Sequence, residues 1–164
     1  MYRRSAAVFD RFLAALAAIL DKAEAHCAER KIKEEAILGA RLFPDMFTFT
    51  RQVQLACDFA ARGCARLAGV EPKGFADTET TFADLKHRIA ATRAHITSFK
   101  PEDFADAPQR QISFKAGGRD MVLSGEDFLS LYALPQFYFH VATAYDLLRH
   151  NGVELSKQDY MGVS

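Results

Sequence analysis

One histidine stands apart from the other four. His140 lies in Leu134-Pro135-Gln136-Phe137-Tyr138-Phe139-His140-Val141-Ala142, the most apolar and aromatic stretch of the chain. Its neighbours at helical spacing are Phe137, Val141 and Ala144, which predicts an inward direction. A buried imidazole must find a hydrogen-bond partner or a metal, so two readings stand: a satisfied core histidine, or a ligand. Gln136 lies one turn earlier on the same face, just after a proline that weakens the local backbone ladder and can aim side chains at a cavity. Asp45, among Leu42, Phe43, Met46 and Phe49, is either a helix-start carboxylate or an inward-pointing one. Arg51 and Gln52 extend the polar side of the same helix, and Tyr138 and Tyr145 offer hydroxyls on the last one.

Other chemistries lack their residues. There is no glycine-rich phosphate loop, no CxxC pair, no HExxH and no GxSxG elbow. A di-iron bundle needs Glu-x-x-His twice, and the nearest match is a single Asp84-x-x-His87 whose histidine falls off the apolar stripe, on a solvated face. His26, His87 and His95 sit among charged or small residues, where surface placement is the default. Cys27, Cys57 and Cys64 are read as reduced buried thiols. The last two are seven apart on one helix, roughly 10 Å along its axis and beyond disulfide reach.

Four helices must position these groups. Val8, Phe9, Phe12, Leu13, Leu16, Ile19, Leu20 and Ala23 form the stripe of a first helix from Ser5 to about Arg30. Pro44 and Asp45 suit the first turn of a second, which runs to about Leu67 and is closed by Gly69. Its apolar residues are large at the start and small later (Ala56, Ala60, Cys64), so a neighbour can approach closely there. Thr81-Phe82-Ala83-Asp84 has capping-box spacing and opens a third helix to about Phe99. The period then changes to two: a Gly117-Gly118 turn places Phe114 opposite Met121 and Ile112 opposite Leu123, a short hairpin with these four on one face. A fourth helix begins at Ser124 and ends near His150 at Asn151-Gly152-Val153, with Pro135 kinking or splitting it. The expectation is an all-α four-helix bundle, one domain over 1–164, with a β-hairpin between the third and fourth helices.

Composition narrows the partners. The 164 residues are 49% hydrophobic and 26% charged, enough apolar material for one core. Lys+Arg and Asp+Glu both total 21, so no global field draws a nucleic acid. Asp10 and Arg11 interrupt the first apolar stretch and no run reaches the ~18 residues of a membrane span, which predicts a cytoplasmic protein.

The segments RLFPDMFTFTRQVQLACDFA, DTETTFADLKHRI, LPQFYFHVATAYDLLRHNGV and KQDYMG resemble a bacterial family known as a domain of unknown function, within the DinB-like, YfiT-like superfamily. The resemblance implies a four-helix bundle, often a homodimer. Better-known members bind a divalent metal, often zinc or nickel, through one His on the second helix and an H-x-x-x-H pair on the fourth, and some use it to activate a thiol for transfer or isomerisation. Counted back from Gly152, that pair falls on Gln136 and His140, and Asp45 is the polar residue nearest the expected level of the second helix. One imidazole, one carboxylate and one amide make a weaker set than three imidazoles. The expected protein is therefore metal-free or weakly metal-binding, with a small polar pocket between the second and fourth helices that takes a small-molecule ligand. The alternative is a divalent-metal-dependent enzyme of the thiol-transferase or isomerase type.

Overall fold

A computed structural model describes residues 1–163. The chain is mostly helical with one two-stranded antiparallel sheet. After a 3-10 turn at Tyr2–Arg4 come α1 (Ala6–Arg30), α2 (Glu34–Leu38), α3 (Phe49–Ala68) and α4 (Phe82–Ser98). β1 (Gln111–Ala116) and β2 (Arg119–Ser124) precede a single turn, α5 (Gly125–Asp127), then a π-helical segment Phe128–Ala133, α6 (Leu134–His150) and α7 (Lys157–Met161). The long helices α1, α3, α4 and α6 pack as α3 on α6, α1 on α4 and α3 on α4. Phe9, Leu13, Leu16, Phe49, Phe82 and Phe137 are fully buried between them.

The local signals explain most boundaries. The Thr81 hydroxyl accepts from the Asp84 N–H while the Asp84 carboxylate accepts from the Thr81 N–H, so the box predicted at α4 forms. At the end of α6, Gly152 (φ 87) donates to the Arg149 carbonyl and Val153 to Leu148, closing a Schellman cap over the buried Val153. In the hairpin, Ile112 pairs with Leu123 and Phe114 with Met121, as the alternation requires. Ile112 and Phe114 are buried, whereas Met121 stays exposed because the strand pair covers the helices only at its inner end. Ala56, Ala60 and Cys64 are fully buried along α3. All three cysteines are free and buried, and burial pushes the Cys57 thiol up to about 12.

Two expectations need correction, and one that left alternatives open is settled. The helix carrying Gln52 does not begin at Pro44: it begins at Phe49, capped by the Thr48 hydroxyl accepting from Arg51 N–H. Pro44 and Asp45 instead occupy the centre of a turn closed from the Met46 N–H to the Phe43 carbonyl, a position proline favours as much as a helix start. Of the two outcomes expected at Pro135, a kink or a split, the fourth helix takes the split, into α5, the π-helical segment and α6. Pro135 offers no N–H to the carbonyl four residues back, and the chain takes this up in the π-helical turn before α6. Finally, His26 and His95 are half-buried rather than at the surface, His95 packed edge-to-face with Phe99. His87 is exposed as expected. Among the described residues no helix is long and apolar enough to cross a membrane.

Candidate functional site

His140 is buried on α6, with its Nδ1 2.7 Å from the Gln52 Oε1 on α3. The Gln52 amide nitrogen reaches the Phe47 carbonyl at 3.4 Å, which leaves the amide oxygen for the ring. An amide oxygen only accepts, so Nδ1 carries the proton and Nε2 keeps a lone pair. Burial, with a smaller contribution from the Arg51 charge, pushes the His140 pKa down to about 4, so the ring is neutral at pH 7. Phe59 stacks on one side of it at 5.5 Å and 14° between planes. Nε2 has no hydrogen-bond partner among the described residues and is not sealed in the core.

An open cleft of about 410 Å³ lies beside the ring, and Asp45, Gln136 and His140 all line it. The three residues predicted from sequence are thus brought to one place, by different means than expected. Gln136 and His140 come from adjacent turns of α6, whereas Asp45 comes from the exposed turn before α3 rather than from the helix. The α3 residue that meets the histidine is Gln52, read beforehand only as part of a polar side. The rest of the wall, chiefly Met46, Phe47, Leu55, Phe59 and Phe139, is apolar, so the pocket is greasier than expected. Tyr138 and Tyr145 do not reach it: they pack on Phe12 and Tyr160.

A second polar centre was missed altogether. Arg88 of α4 is buried, with a side chain 1% exposed, and binds Asp58 at 2.6 Å, Glu79 at 2.9 Å and Asp77 at 3.0 Å. Its guanidinium lies 5.3 Å over the Phe75 ring and also donates to the Ala76 carbonyl. Burial works against the cation, but the bonds and charges of Glu79 and Asp58 outweigh it and hold its pKa above the ordinary value. This cluster pins the segment between α3 and α4.

The donors that a zinc or nickel ion would meet in the cleft are one imidazole Nε2, the Gln136 amide and the exposed Asp45 carboxylate. Among the described residues no group of three His, Cys, Asp or Glu side chains is placed to hold a metal. Such a set does not fit a tight zinc or nickel centre of the three-imidazole kind.

Long helices, one hairpin and a histidine-bearing cleft between α3 and α6 make this a mostly helical protein with a candidate ligand site in its core packing. The model of a domain of unknown function, DUF1993, matches residues 1–161, and the chain belongs to that family. It is similar to a DinB family member from Shewanella denitrificans, known from a crystal structure, with a TM-score of 0.93 and 41% sequence identity over 99% of this chain and 92% of that one. No curated protein matches the chain.

Proposed function

We propose that this DUF1993 protein is a DinB-like four-helix bundle, metal-free or weakly metal-binding, whose α3–α6 cleft binds a small molecule. The observation that carries the reading is the neutral His140 ring, held by Gln52 so that Nε2 presents a lone pair at the floor of an apolar cleft. Such a floor accepts one hydrogen bond from an otherwise apolar ligand, a hydroxyl or a thiol, and orients it. A bundle of this kind is also expected to pair as a homodimer in the cytoplasm. The more than half-exposed Phe43, Phe47 and Phe139 give it apolar surface to cover.

The second reading, a divalent-metal-dependent thiol-transferase or isomerase, would rest on the same lone pair with Asp45 and Gln136 as weak donors on the cleft wall. Calorimetric titration at pH 7 separates the two. The proposal expects para-cresol to bind, to lose at least tenfold in affinity in His140→Ala, and to bind equally well with a chelator present. Zinc or nickel binding stoichiometrically at micromolar concentration, with loss in His140→Ala and no para-cresol binding without metal, would replace it by the second reading.

A further inference from the structure

The face of α3 turned toward α6 carries Gln52, Leu55, Phe59, Arg62 and Arg66, three or four apart and so in one stripe that runs from buried Gln52 to exposed Arg62. Facing it are Tyr132 of the π-helical segment and Gln136 and His140 of α6, which also lie four apart. Phe59 stands at the middle of the groove between them, where its ring stacks on His140 and meets Tyr132 edge-on at 5.9 Å. Beyond Phe59 lies a second cavity of about 100 Å³, which shares Leu55 and Phe59 with the His140 cleft. Arg62, Arg66 and Lys115 line this far end. From Gln52 to Arg66 the helix rises roughly 21 Å, and an arginine side chain leans back toward the helix start.

The far end holds more positive charge than the chain answers. Arg62 binds one Asp58 oxygen at 3.2 Å and Arg88 the other at 2.6 Å, so a single carboxylate at the wall of this cavity answers two guanidinium groups. Lys115 has only a loose contact with Asp120 at 3.8 Å, both largely in solvent. Arg66 is half-buried, 6.0 Å over the Phe114 ring, with no carboxylate in contact among the described residues; Glu71 acts on it only from a distance. Burial and the neighbouring Arg62 charge both work against the Arg66 cation. Because Lys+Arg and Asp+Glu are equal over the whole chain, this excess is local rather than a product of composition.

We infer that the groove takes a small amphipathic anion: a carboxylate or phosphate at Arg62 and Arg66, an apolar body along Phe59 and Tyr132, and a hydroxyl or thiol at His140 Nε2. The inference rests on the cleft reading above and adds the ligand's charge and polarity. An anion over two guanidinium groups gains charge-assisted hydrogen bonds that no side chain of the described residues now supplies to Arg66.

The test compares two probes that differ at one end, ω-hydroxydodecanoate and the diol in which a second hydroxyl replaces the carboxylate. Calorimetry at pH 7 is expected to show the hydroxy acid binding at least tenfold more tightly. Arg66→Gln removes that advantage without changing diol binding, Arg66→Lys keeps most of it, and His140→Ala weakens both probes. Equal binding of the two probes, or an advantage that survives Arg66→Gln, overturns the anion site. If both probes still weaken in His140→Ala, the cleft reading stands without it. Binding of neither probe, or binding indifferent to His140→Ala, overturns this inference, and para-cresol binding lost in His140→Ala then decides whether the cleft reading survives it.

Discussion

Two polar centres flank α3, and they differ in how completely the chain answers them. On the α4 side, Arg88 meets Asp58, Glu79 and Asp77, and each partner is tied again, Asp58 to Arg62, Glu79 to Gln54 and Asp77 to Arg51. In that cluster every carboxylate has a second partner, and among its donors the buried Arg88 Nε is left unpaired, although Arg88 and Glu79 also border an open cavity of about 330 Å³. On the α6 side, the pairing stops halfway: Gln52 satisfies one nitrogen of His140, and the other opens on a cleft. A saturated cluster holds segments together, whereas a half-satisfied one is where binding can occur.

The sharpest way to break this contrast is at Arg88. Removing it in Arg88→Ala strands Asp58 and Glu79 in low-dielectric surroundings, and the expected loss is about 3 to 5 kcal/mol in urea denaturation. Ligand binding at the cleft, read at a temperature where the variant is still folded, should be unchanged. A loss under 1 kcal/mol would mean that the cluster is solvated and not a structural tie.

The pH dependence of stability sharpens the other side by a smaller amount. The His140 pKa in the folded chain, about 4, lies below its ordinary 6.5, so the unfolded chain binds the extra proton first. Stability is fully present above about pH 6.5 and falls as pH drops toward 4, by no more than about 3 kcal/mol. His140→Gln should flatten this window. A second decline, at lower pH, belongs to Asp159, whose carboxyl is held down to about 2 by Lys22 and by the Ser156 N–H; its contribution is lost between about 3.8 and 2. A wild-type curve flat from pH 7 to 4 would place His140 in solvent.

The fold was legible where local chemistry and periodicity agree. The α1 stripe, the Thr81 box, the Gly-Gly hairpin register and the Asn151-Gly152-Val153 end all depend on residues a few positions apart, and all stand as read. Pro44 misled because proline serves the second position of a β-turn as well as a helix start. The deciding contact, from the Phe49 N–H to the Ala40 carbonyl, spans a loop that periodicity cannot see. The site was half legible. His140 showed itself by being polar in an apolar run, but Gln52 and Arg88 are charged or amide residues on helices with other polar residues nearby. Only the packing of α3 against α6 and α4 reveals that these two point inward.

The account turns on the protonation of one ring, which nitrogen-15 NMR of the imidazole groups reads directly. At pH 7 the His140 signals should show a protonated Nδ1 and an unprotonated, pyridine-like Nε2, unchanged down to pH 5. A proton on Nε2, or a ring that titrates near the ordinary 6.5, would contradict it, because no lone pair would then face the cleft.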